Sequence, residues 1–153
     1  MKNASPRRRA RELALQGLYQ RQLAGNAPDA IIAHWVADQD FGQADRPFLD
    51  ELWAGVNAGE DALLDELRPH LDRRAAEVSP IERAILLVAA WELVNRLDTP
   101  YRVVINEAVE LAKAYGGTDG HRFVNGVLDK LAARVRAPEI AATARERDAA
   151  RRG

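Results

Sequence analysis

The chain has 153 residues, 47% of them apolar and 29% charged, which suits one compact domain able to bury its own core. It contains no cysteine, so disulfide, thiolate–zinc and cysteine-nucleophile chemistry are excluded. The longest apolar run, Ala84 to Trp91, falls far short of the roughly 20 residues of a membrane helix, and no apolar stretch of a secretory signal follows the basic start; a cytoplasmic protein is expected.

The pattern is helical nearly throughout. Ser5 and Pro6 supply an N-cap and first helical position, and Ala10, Leu13, Ala14, Gly17 and Leu18 recur on one face until Gly25-Asn26 stops the helix. Pro28 opens a second helix carrying Ile31, Ile32, Trp35 and Val36, ending before a turn region at Asp38 to Asp45. A third begins near Asp45 and Pro47 and runs in phase to Pro69, either as one helix or as two with a break near Gly59.

Ser79-Pro80-Ile81-Glu82 is the strongest local signal: serine at N-cap, proline at N1 and glutamate at N3 form a capping box. The helix it starts is apolar on nearly every side, as expected of one at the centre of a bundle. Thr99-Pro100 begins a segment whose Val103-Val104-Ile105 alone would suit a strand. Its continuation through Ala108, Val109 and Ala112 to Gly116-Gly117 favours a helix. Phe123, Val124, Val127, Leu128 and Leu131 make a last amphipathic helix, and the alanine- and charge-rich Ala137 to Gly153 is expected to be frayed or disordered. The fold class is all-α, six to seven helices in two small packed bundles. One domain spans 1–136, with subdomains at about 1–74 and 75–136, and 137–153 is the tail.

The inventory for catalysis is thin. The two serines, Ser5 and Ser79, are both used as caps, and His34, His70 and His121 stand on different elements without ligand spacing. Neither an enzyme nor a metal or other cofactor is expected. The Gly116 to Gly120 loop reads as a helix end and the next helix start rather than a phosphate cradle.

The net charge of −1 conceals asymmetry. Residues 1–37 carry +4, 38–72 carry −8, 73–133 balance and 134–153 carry +3. Arg7, Arg8 and Arg9 crowd the first helical turn, where positive charge opposes the macrodipole. Arg8, Arg11, Leu15 and Tyr19 form a stripe opposite the apolar face, mixing guanidinium groups with an aromatic ring. Single-stranded RNA suits such a stripe through phosphate contacts and base stacking. The alternatives are a solvated face, packing of Leu15 and Tyr19 against a neighbouring helix, or a protein-interaction scaffold or homodimer with only nonspecific RNA affinity.

The segments Arg7-Arg8-Arg9-Ala10-Arg11-Glu12, Ala14-Leu15-Gln16-Gly17-Leu18-Tyr19, Ile105 to Lys113 and Phe123 to Lys130, in this order, closely resemble the NusB family of bacterial transcription antitermination factors. The resemblance runs from the head to about Arg136. It implies a non-catalytic all-helical protein that pairs with NusE, a small-subunit ribosomal protein, binds boxA RNA of ribosomal RNA leaders and serves the RNA polymerase antitermination complex; some members are homodimers. It further implies that Lys2, Arg7, Arg8 and Arg9 contact phosphates and that Phe123, beside the loop containing Asp119, contacts bases. Tyr101 and Lys113 are further RNA contacts, and Tyr19 and Glu82 face NusE. Asn106 and Asn125, poor helix formers, are expected to hydrogen-bond between helices. The tail departs from the family pattern, and the resemblance assigns no role to its arginines.

Overall fold

A computed structural model describes residues 5–36 and 42–152. They form seven helices: α1 (Pro6–Ala24), α2 (Pro28–Val36), α3 (Arg46–Leu67), α4 (Pro80–Asn95), α5 (Tyr101–Tyr115), α6 (Gly120–Val135) and α7 (Ala137–Arg152). Two short 3-10 turns, Arg68–His70 and Ala75–Glu77, lie between α3 and α4. Among the described residues no helix is long and apolar enough to cross a membrane.

The helix ends follow local chemistry. Ser5 Oγ accepts the Arg8 backbone N–H at 3.1 Å, and an Asp45 carboxylate oxygen accepts that of Phe48 at 3.1 Å. At Ser79 half of the expected capping box forms, the Glu82 N–H donating to Ser79 Oγ at 3.2 Å; the Glu82 carboxylate accepts the serine hydroxyl and not the Ser79 backbone N–H. Gly25 ends α1 at φ 70°, a left-handed conformation that favours glycine. Gly59 settles the question in α3: the helix continues through it with a kink, at φ −112° and ψ 17°.

α4 is the axle. Every residue from Ala84 to Leu93 is buried, and the helix packs against α1, α3, α5 and α6. α5 and α6 pack on each other, and α1 packs on α2 and α3. Trp35 and Trp53 meet edge to face at 4.7 Å between ring centroids. Gly17 makes room for them, since a Cβ there would fall 2.7 Å from the Trp35 ring.

The tail corrects an expectation. Ala137–Arg152 is a helix, held at its start by polar contacts that hydropathy does not register. Arg136 is 2% exposed. Its guanidinium donates to the carbonyls of Leu93 at 2.7 Å, Arg96 at 2.8 Å, Thr99 at 2.9 Å and Glu92 at 3.2 Å, satisfying the end of α4. It also donates to Glu139, whose other carboxylate oxygen accepts the Tyr101 N–H at 2.8 Å, at the start of α5. Ile140 adds the only large apolar contact, and residues 144–152 are exposed.

Candidate nucleic-acid interface

The first turn of α1 carries Arg7, Arg8 and Arg9 and no acid, and each of the three meets a carboxylate from elsewhere in the sequence or further along the helix. Arg7 lies 3.6 Å from Asp45 and 5.3 Å over the Phe48 ring. Arg8 makes a fork with Glu107 of α5, at 2.9 and 3.0 Å. That hydrogen bond, reinforced by the charge of Glu107, holds the Arg8 pKa above its ordinary value. Nearly half of the Arg8 side chain still faces solvent. Arg9 sits 3.9 Å from Glu12. Glu12 also accepts the Tyr115 hydroxyl at 2.8 Å, and burial together with this bond raises the Tyr115 pKa. Lys2 lies outside the described residues.

Arg11 is a correction. It is 4% exposed, and its guanidinium donates through Nε and Nη2 to the two carboxylate oxygens of Glu92 on α4, each at 2.8 Å, with Glu92 1% exposed. Leu15 is 1% exposed as well. The stripe read as a binding face is therefore mostly packed against α4. Only Arg8 remains exposed on it, with Tyr19 half-buried at its far end. Arg11 belongs to the core and is not available to a ligand.

The other residues fall on the edges of α5 and α6. Lys113 is exposed, 3.8 Å from Glu110. Asp119 is exposed just before α6, and its side chain makes no capping bond. Glu82 reaches the same corner, because a Cβ on Gly120 would lie 3.4 Å from its carboxyl carbon. Phe123 is half-buried, with the Arg73 guanidinium stacked 4.2 Å over its ring. Asp72 steadies Arg73 with bonds of 2.6 and 3.2 Å, and that contact lowers the Asp72 pKa. His70, Arg122 and Lys130 complete a depression of about 210 Å3 beside Phe123. Tyr101, half-buried at the other end of α5, has Arg102 5.5 Å over its ring.

Arg73 was not legible in the sequence, since it sits in an irregular segment fifty positions from the ring it covers. The expected interhelical bonds of Asn106 and Asn125 are not formed: both side chains are exposed, and neither bonds to another described residue. No group of three His, Asp or Glu side chains placed to hold a metal occurs among the described residues.

Architecture and surface define a class: all-α proteins built around one central apolar helix, with cations and aromatic rings gathered on the edges of the helices that surround it. The sequence profile of the NusB family matches residues 8–133, and the chain belongs to that family. Transcription antitermination protein NusB of Azoarcus sp. (strain BH72) is 57% identical over 150 residues, 97% of each chain. Its namesake in Ralstonia nicotianae (strain ATCC BAA-1114 / GMI1000) is 59% identical over 138 residues, 90% of this chain and 89% of that one. Among solved structures, T. maritima NusB superposes with a TM-score of 0.75 at 28% identity, covering 88% of this chain and 94% of that one.

Proposed function

We propose that this chain is a non-catalytic, cytoplasmic RNA-binding antitermination factor that pairs with NusE and binds the boxA strand of ribosomal RNA leaders. One observation carries the reading: three arginines occupy the first turn of α1 with no acid among them. Each opposes the helix dipole by roughly 0.3–1 kcal/mol, so the turn is built against its own helix and is relieved by a polyanion. Arg7, Arg8, Arg9 and Lys2 are the phosphate contacts. Phe123 stacks a base beside Asp119, Tyr101 and Lys113 extend the RNA path, and Tyr19 and Glu82 face NusE.

A second reading has one observation in its favour: Glu107 and Asp45 already engage Arg8 and Arg7. On that reading the protein is a scaffold and RNA is secondary. RNA binding measured with and without NusE, on wild type and Arg7→Ala/Arg8→Ala, separates the two. The RNA reading expects affinity to rise when NusE is present and to fall in the double variant. NusE binding at full strength with no contribution from RNA supports the scaffold.

A further inference from the structure

Between α5 and α6 lies a groove of about 370 Å3, lined by Tyr101, Arg102, Ile105, Asn106, Asn125 and Asp129. Its polar side chains are unspent. Asn106, Asn125 and Asp129 are exposed and make no hydrogen bond or ion pair with another described residue. Asparagine is a poor choice for an exposed position inside a helix, where alanine serves better, and here it occurs on both facing helices with no structural bond to show for it.

The groove also joins residues already placed on the RNA path. At 100° per residue, Arg102, Asn106 and Lys113 share one flank of α5, so the groove runs from the Tyr101 end toward the corner holding Lys113 and Asp119. On α6, Phe123 and Asn125 lie to either side of Gly126. That glycine is exposed, and a Cβ built on it meets nothing within 4 Å, so a strand can cross the helix there.

We propose that Asn106, Asn125 and Asp129 form a base-reading groove that takes one unstacked, amino-bearing base, adenine or cytosine, of the RNA strand; this rests on the function proposed above. An asparagine amide donates through its nitrogen and accepts through its oxygen, and a carboxylate only accepts. Adenine and cytosine offer the complement on one edge, an exocyclic amine for Asp129 and a ring acceptor for an asparagine N–H. Tyr101 forms the end wall, and Arg102 on the rim meets a phosphate.

The test is Asn106→Ala/Asn125→Ala, titrated with a boxA-bearing leader RNA and with a scrambled strand of the same length and composition. Alanine favours the helix at both positions, so thermal unfolding is expected to be no lower than in wild type. Affinity for the boxA strand is expected to fall about tenfold or more, with scrambled-strand affinity and salt dependence unchanged. Asp129→Asn is expected to weaken the preference for an amino-bearing base in strands carrying single base replacements. Wild-type affinity of the double variant for the boxA strand overturns the groove, and so does an equal loss on both strands. A wild-type chain that binds neither strand overturns the RNA function and the groove with it, whereas the first two outcomes overturn the groove alone.

Discussion

Removing the Arg11 guanidinium strands the Glu92 carboxylate in the middle of the bundle, where it is 1% exposed. A buried ion pair broken on one side costs about 3–5 kcal/mol, while replacing both partners by apolar residues of similar size is often close to neutral. Arg11→Ala is therefore expected to lower unfolding free energy in urea by about that amount, and Arg11→Met/Glu92→Met to recover most of it. Were Arg11 a surface contact, neither variant would move the urea midpoint appreciably. The same pair marks where reading by residue fails. Arg8 and Arg11 lie three positions apart on one stripe of α1, and nothing local distinguishes them. The difference is made by Glu92, 81 positions away, which meets one, and by Glu107, 99 positions away, which meets the other at the surface. Asn106 and Asn125 fail in the opposite direction: their polarity inside helices points to bonds between helices, and the structure leaves them facing solvent.

At the scale of elements, what depended on near neighbours was legible. The starts of α1, α3 and α4 follow from Ser5, Asp45 and Ser79 with the prolines beside them, because a cap is a contact across three residues. α7 escaped because it has no apolar stripe to detect; Arg136 and Glu139 secure it through bonds to α4 and α5. Arg136→Ala removes the side-chain donor of the Leu93 and Thr99 carbonyls and of one Glu139 oxygen, while the Glu92 and Arg96 carbonyls keep backbone N–H partners. A loss of about 2 kcal/mol or more is expected in chemical denaturation, together with reduced helical ellipticity as α7 frays. Arg136→Lys is expected to recover little of it, because one ammonium group cannot span several carbonyls that a planar fork reaches together. Glu139→Ala separates the two effects: α7 frays and the Tyr101 amide exchanges faster, while the carbonyls of α4 keep their partner.

For the whole molecule the question is how a chain of net charge −1 could offer the proposed RNA-binding surface. Of the eight described acids between 38 and 72, five pair with arginines outside the first turn of α1: Glu51 with Arg96, Glu60 with Arg21 and Arg83, Asp65 with Arg68, Glu66 with Arg134 and Asp72 with Arg73. Asp45, a sixth, pairs with Arg7 of that turn. Screening limits the reach of the remaining exposed charges to about 8 Å at physiological salt, so the local arrangement of the head decides binding. With Arg11 withdrawn into the core, Lys2, Arg7, Arg8 and Arg9 remain as its cations. Four phosphate contacts from the head contribute about −2.8 to the slope of log affinity against log salt for a single strand, where five would contribute about −3.5. A titration of boxA-bearing RNA from low to high salt measures this, and Arg7→Ala is expected to make the slope shallower by about 0.7. Glu107→Gln is expected to act the other way on affinity: it removes the carboxylate that competes with phosphate for Arg8, so binding strengthens, most at low salt. A slope near zero with unchanged binding in Arg7→Ala would remove the head from the interface and leave the edges of α5 and α6 as the surface that meets RNA.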